Sequence, residues 1–431
     1  MYTIDYQYLR PKKAVALKKW YDEAFLAREE LEVCIKANAT ILPLRKLESD
    51  SLQFGRGGVV DAEGQYVDLS CVPGRIQYAY PVTDPEFRDQ KVVYCGYLIH
   101  QWGHFLIEGV SRLWYFLEND SSIDKYVFFL DENEEREIRG NYREFLTLLG
   151  IWDKLEFINK PTTYREVVVP ELGYQVRNCY SPKQLRVFET IAQNAAAEPD
   201  WEVFEKIYFS RSMFAKAQSL EFGFDMLDNY FEKNGYKVLY PERIPLGQMI
   251  HYIRNAKVIT ALQGSVCHNV FFANDGQKLE IVERQIISDD NQVDINRMKG
   301  LQVTYIDGNI PIYTIDCAGP YIMGYTDCLQ RFTRDQGYLT PDEQYLTKKY
   351  YKKCFINYMK AYQDLYRYNW FMHGWYAPFA ESLHEGYQEG HAFFAEYLDG
   401  SRPFLWHHYL ELHYFKQFVK RILRKLGLYS K

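Results

Sequence analysis

A chain of 431 residues is too long for one ordinary domain, and two domains with appendages are expected. Hydrophobic residues make up 47% and charged residues 25%, which excludes a disordered chain. The net charge of −6 excludes a surface given over to nucleic acid, so no nucleic-acid partner is expected. Aromatic residues reach 17%, with 38 Tyr. Such usage suits concave surfaces that stack on sugars or bases, and equally suits core packing or a compositional bias of the genome. The 8 Cys are scattered singly, with no CxxC pair and no Cys/His cluster of zinc spacing. They are expected to be reduced cytosolic thiols, and no metal site is expected. The first residues lack an apolar signal core, and no run approaches about 20 apolar residues, so no membrane span is expected.

In chain order, residues 14–36 predict a short helix from Ala14 to Leu31. Residues 39–94 are β-rich, with turn signals at Gly55-Arg56-Gly57-Gly58, Asp61-Ala62-Glu63-Gly64 and Pro73-Gly74. Val92 to Ile99 is an apolar run that predicts a buried strand. Beyond it a helix is expected, with apolar residues recurring through Phe105, Leu106, Val110 and Leu113. His104, Glu108 and Arg112 fall at i, i+4 and i+8 on its other stripe, with His100 in the preceding turn. An imidazole, a carboxylate and a guanidinium in line beyond a strand make a base, its orienter and an anion contact. A plain helix with a Glu108–Arg112 salt bridge would give the same spacing.

The alternation then becomes β-α-β. Strands are predicted at Tyr126–Leu130, Leu155–Ile158 and Val167–Pro170, and helices at Tyr142–Gly150 and Pro182–Ala197. The Ala-Ala-Ala-Glu-Pro-Asp stretch at 195–200 marks a boundary. A second unit follows, with strands at Lys206–Phe209, Tyr236–Tyr240, Val258–Leu262, Leu279–Val282 and Val303–Ile306. Its helices are predicted at Leu220–Lys233, Pro245–Asn255 and about Cys267–Ala273. Two α/β units in tandem are expected: residues 1–197 with a β-rich insertion at 39–94, and residues 198–339. Residues 340–431 predict a helical extension.

Several strand ends carry candidate donor contacts. Gly264-Ser265 lies between a strand and a helix, where backbone N–H groups can meet an anion, and Asn269 sits one turn on. Ser210-Arg211, with Lys216 five residues later, could clamp a diphosphate. Glu283 could accept from a ribose diol. A bland βα turn, a solvated basic loop and an idle strand-end carboxylate are the alternatives. In the tail, Phe415, Phe418, Val419, Ile422, Leu423 and Leu426 share one face of the 414–428 segment, opposite Lys416, Lys420, Arg421, Arg424 and Lys425. That pattern fits either a helix on an anionic membrane surface or one docked on the protein.

The stretch His100-Gln101-Trp102-Gly103-His104-Phe105-Leu106-Ile107-Glu108, then Ser111-Arg112-Leu113-Trp114, resembles the signature of the family 61 glycosyltransferases. The second half follows the same family order: Ser210-Arg211, an acid at Glu221, Tyr240-Pro241-Glu242, Leu246 to Ile250, Gly264-Ser265, Asn269 and Val282-Glu283. The resemblance covers about residues 92–285. Gln263-Gly264-Ser265 replaces the family's usual His-Gly-Ala. Lys216, Gln218 and Ser219 stand where a second Arg and an Asn are usual.

The resemblance implies a GT-B-like enzyme: two Rossmann-like domains facing across a cleft, acceptor side first, donor side second. It implies inverting transfer from a nucleotide sugar to a glycan or lipid-linked acceptor, in bacterial capsule, lipopolysaccharide or a related surface glycan. The catalytic set would be His104, Glu108 and Arg112, with His104 or Glu108 as base. The donor set would be Arg211, Lys216, Gly264, Ser265, Asn269 and Glu283. No Asp-x-Asp pair occurs in a plausible loop, so no metal cofactor is expected. The expected location is cytoplasmic, with a peripheral membrane contact through 414–428. Two other classes are a nucleotide-dependent oxidoreductase, which would need a GxGxxG turn near its first strand, and a non-catalytic sugar-binding or scaffold protein.

Overall fold

The computed structural model describes residues 2–47, 51–196, 201–311 and 319–366, together with Val419 and Ile422. The 414–428 segment lies almost wholly outside the described residues, as does the rest of the expected extension beyond Tyr366. Of that extension the structure describes a 3-10 turn at Glu343–Leu346 and a helix at Lys348–Tyr366. No helix among the described residues is long and apolar enough to cross a membrane.

The protein is a mixed α/β molecule built on two six-stranded sheets. The first runs in the order Arg56–Val60, Val33–Arg45, Thr162–Pro170, Glu86–Tyr97, Lys125–Phe129, Leu155–Ile158. Its last four strands are parallel, and the first two add antiparallel hairpin strands at one edge. The β-rich insertion is thus partly an extension of the sheet. The second sheet runs Thr3–Tyr8, Gln302–Asp307, Lys278–Glu283, Val258–Leu262, Lys206–Phe209, Lys237–Leu239, and is parallel throughout. Its central strands are buried on both faces, which is why they read as unbroken apolar runs.

The N-terminal segment departs from the sequence expectation. Thr3–Tyr8 is a strand, and the helix is Pro11–Asp22, ending well short of Leu31. The strand pairs with Gln302–Asp307, so this part of residues 1–197 sits in the second sheet. Pro11 at the first helical position starts the helix early, since its missing N–H would have had no partner there.

The helix predicted beyond Ile99 is also broken into pieces. A short α-turn at Trp102–His104 runs into a π turn at Phe105–Gly109, and a 3-10 stretch follows at Leu113–Glu118. Gly109 and the β-branched Val110 hold a continuous helix poorly, and the chain turns there to bury Leu113 and Trp114.

One apolar core runs through both halves. Phe188 stacks on Phe271 at 4.3 Å, and Phe145 and Phe188 both meet Phe272 edge-on. Each such fully buried aromatic is worth about 1.5–3 kcal/mol of transfer free energy. A polar tie accompanies them. Glu144, on the helix Asn141–Leu148, accepts from the backbone N–H of Leu246 and of Gly247, both at 2.8 Å. These are orphan donors of the helix Leu246–Asn255, whose preceding residue is Pro245 and offers no side-chain cap. One half therefore caps a helix of the other, which fixes the two sheets about the cleft between them.

Candidate active site

A cleft of about 690 Å³ opens between the two halves. On the first-half wall stand His100, Trp102, Arg139 and Tyr142; on the second-half wall stand Arg211, Lys216, Ser265, Asn269 and Arg284. Both sets lie at or just beyond carboxyl ends of strands, where an α/β sheet leaves room for a ligand.

Arg211 follows the strand Lys206–Phe209. Its turn is held by Ser212, whose N–H donates to Ser210 Oγ at 3.1 Å and whose hydroxyl donates to Asp228. The Arg211 Nε lies 3.1 and 3.2 Å from the two carboxylate oxygens of Glu221, and Arg284 Nη1 donates to Glu221 Oε1 at 2.7 Å. The Glu221 side chain is 4% exposed and gathers both guanidinium groups on one wall. Phe214 and Tyr321 back them, with ring centroids 5.2 Å from Arg211 Cζ and 4.4 Å from Arg284 Cζ. Lys216 is exposed at the same wall. Glu242 also lines the cleft, so the wall sets two carboxylates among its cationic side chains.

Arg284 was not singled out in the sequence, though it follows Glu283 directly. Its place is set by Gln263, whose side-chain oxygen accepts from the N–H of Arg284 (3.1 Å) and of Gln285 (3.0 Å). The same side chain donates to the Ile287 carbonyl at 2.6 Å. Gln263, one of the departures from the family pattern, thereby anchors the loop that brings a second arginine beside Arg211. Gly264 has φ of +115°, and a Cβ there would lie 2.6 Å from Arg284 Nη2, so a side chain would be strained and would crowd the guanidinium. The segment after Ser265 is a six-residue 3-10 turn, Cys267–Phe272, in place of the expected helix. Its Cys267 N–H donates to the Gly264 carbonyl at 2.8 Å and closes the turn.

Asn269 is buried and works across the interface. Its side-chain oxygen accepts from Trp102 Nε1 at 2.8 Å, while its amide donates to the Val266 carbonyl. Beside it Gly103 passes so near the second half that a Cβ would lie 3.0 Å from Ser265 Cβ. The close approach explains a glycine between Trp102 and His104.

Glu283 stands elsewhere. It is fully buried, its carboxylate 2.6 Å from Lys13 Nζ on the N-terminal helix, with Ser288 donating at 3.2 Å. Burial raises its pKa to about 6, against the opposing pull of Lys13. It does not line the cleft. Arg112 is likewise drawn inward. It is 1% exposed and donates to the carbonyls of Pro170, Leu69 and Cys71, knitting the insertion to the sheet. The break at Gly109 turns it off the stripe that His104 and Glu108 share.

Those two remain together. His104 Nδ1 and Glu108 Oε2 are 3.0 Å apart, and the carboxylate is buried. Its other oxygen meets Arg75, not Arg112, at 2.6 Å. The π turn keeps His104 and Glu108 adjacent while the chain leaves the helical path. His104 itself is not on the cleft wall, and its ring meets Phe54 edge-on at 5.6 Å. The imidazole that faces the cleft is His100, stacked on Tyr142 at 5.0 Å. Burial, then the Arg136 guanidinium, lowers its pKa from the ordinary value, which favours a neutral ring.

The cleft thus has guanidinium groups on one wall and the His100 imidazole on the other. Residues 102–279 match the family model described as Glycosyltransferase 61. This supports the resemblance carried by the sequence motifs, and the protein is a glycosyltransferase. The matched span begins at Trp102 and takes in His104, Glu108, Arg211, Glu221, Gly264 and Asn269, whereas Arg75 and Arg284 fall outside it. No curated protein matches the chain.

Proposed function

We propose that the protein is an inverting glycosyltransferase of GT-B-like arrangement that draws its sugar from a nucleotide-sugar donor bound in the cleft. The acceptor is a hydroxyl of a glycan or lipid-linked glycan, in the assembly of a bacterial surface polysaccharide. The observation that carries this reading is the pair of guanidinium groups, Arg211 and Arg284, gathered on Glu221 at the strand ends. The donor's diphosphate would lie against them and Lys216, which would stabilise the charge that develops as the sugar–oxygen bond breaks. Four cationic side chains around the cleft can supply that charge without a divalent ion.

The base is His104. Because a carboxylate can only accept, a neutral His104 carries its proton on Nδ1 toward Glu108 and leaves Nε2 to accept. The acceptor hydroxyl would pass its proton to Nε2 while its oxygen attacks the anomeric carbon from the face opposite the diphosphate, which leaves as nucleoside diphosphate. His100 would contact the bound donor from the cleft wall.

Nucleotide release measured over a panel of nucleotide sugars tests the activity. Arg211→Ala is expected to weaken binding of both the accepted donor and its free nucleoside diphosphate by about tenfold or more, since charge-assisted bonds are worth roughly 1.5–3 kcal/mol. EDTA is expected to leave the rate largely intact, and a strict need for a divalent ion would overturn the phosphate assignment. The basic 414–428 segment would hold the enzyme on the cytoplasmic face of the membrane, near a lipid-linked acceptor. Co-sedimentation with anionic but not neutral vesicles, weakened by salt, is the expected result.

A further inference from the structure

The insertion that precedes the family match does more than widen the first sheet. Arg75 reaches from it to Glu108, with Nε 2.6 Å from Oε1. The same guanidinium donates to Gln53, and its Cζ lies 5.7 Å from the Phe54 ring centroid. Phe54 in turn meets the His104 ring. The two segments are tied by backbone bonds: the N–H groups of Phe54 and Gly55 donate to the Arg75 carbonyl at 3.0 and 3.2 Å. Glu108 thus has a partner on each side: Oε2 is hydrogen-bonded to His104, and Oε1, which takes no hydrogen bond, is ion-paired with Arg75.

A carboxylate held by one imidazole alone is free to turn away from it, and a guanidinium at its far oxygen limits that freedom. Other titratable groups lie around the pair. Tyr174, its phenol held far above the ordinary value by burial and then by Asp294, is also raised by the charge of Glu108. Asp290, raised by burial and Asp289, is eased by Arg177 and Arg75. His268, near Gly103, is held by Gln292 at 2.9 Å, with Asp289 at 3.7 Å. Among these groups, only Arg75 is a cation in contact with Glu108 itself.

We infer that Arg75 is a positioning residue: it fixes the Glu108 carboxylate, so that His104 is held by Nδ1 and presents Nε2 as the proton acceptor. This rests on the assignment of His104 as the base. The device comes from the insertion, not from the matched glycosyltransferase region.

The test is Arg75→Gln and Arg75→Lys in the full chain, each checked for an unchanged thermal unfolding midpoint. Two readouts are followed, kcat and KM for the donor. In Arg75→Gln kcat should fall about tenfold, with KM for the donor unchanged, because the donor wall is not touched. Arg75→Lys, which keeps the charge at that position, should restore most of the loss.

An unchanged kcat in Arg75→Gln, or the same loss in Arg75→Lys, would overturn the inference. His104→Ala separates it from the reading on which it rests. If that variant keeps full activity the base assignment fails, whereas a dead His104→Ala with an unchanged kcat in Arg75→Gln removes Arg75 alone.

Discussion

Lys13→Met is expected to destabilise the fold by about 3–5 kcal/mol at pH 7, the usual cost of stripping one partner from a buried ion pair. Lys13 is 5% exposed, and its ammonium lies 2.6 Å from Glu283 and 2.9 Å from Asp307. Arg10 also pairs with Asp307, at 3.2 Å, and its backbone N–H donates to the same carboxylate. Loss of Lys13 therefore strands Glu283 more than Asp307. The deficit should depend on pH. Glu283 already has a folded pKa of about 6, above its ordinary 4.5. Its proton uptake therefore favours the native state fully below about 4.5, and that benefit is lost as pH rises through about 6. Without Lys13 the folded value rises further and the loss moves to higher pH, so the variant should be closer to wild type at pH 5 than at pH 7. Denaturant unfolding at the two pH values checks this, and Glu283→Gln added to Lys13→Met should recover part of the difference at pH 7. An equal loss at both pH values would mean that the pair is not the cause.

The largest expected effect on turnover comes from His104→Ala. Removing a general base costs roughly 10²-fold or more in kcat, and donor affinity should be kept because the cationic wall remains. His100→Ala is the informative companion. His100 stacks on Tyr142 at the cleft wall, so its loss should act mainly on KM for the donor. Single-turnover rates for the two variants decide between them. If His100→Ala carries the kcat loss and His104→Ala does not, the imidazole in the cleft is the base.

Much of the second half could be read from its sequence. The strands Lys206–Phe209 and Val258–Leu262 stand where their apolar runs end, because parallel strands buried on both faces leave an unbroken signal. The helix Leu246–Asn255 follows its Pro as expected. Other features depend on partners remote in sequence. Glu221–Phe222 pairs with Tyr321–Ile322 and delays the next helix to Phe224, which no local period reveals. The pair His104–Glu108 was legible because a helical turn and a π turn both bring i and i+4 together. Arg112 was not, because the departure from the helix at Gly109 adds a rotation that spacing cannot anticipate. Arg75 and Arg284 gave no motif signal: each is placed by a carboxylate tens of residues away. Arg284 had one accessible cue, its position just past a predicted strand end.

The pairing of Thr3–Tyr8 with Gln302–Asp307 bears on how the molecule is made. The ribosome delivers this segment roughly 300 residues before its neighbour, a wait on the order of tens of seconds at ordinary elongation rates. Throughout that interval an unpaired strand is available to other chains, and the helix behind it carries a lysine destined for the interior. The half that holds Arg211 does not mature as a separate module, since its sheet and its buried charge balance both need a segment made roughly 300 residues earlier. A fragment beginning at residue 201 should for this reason refold poorly alone, and should be rescued in trans by a peptide spanning Tyr2 to Glu23.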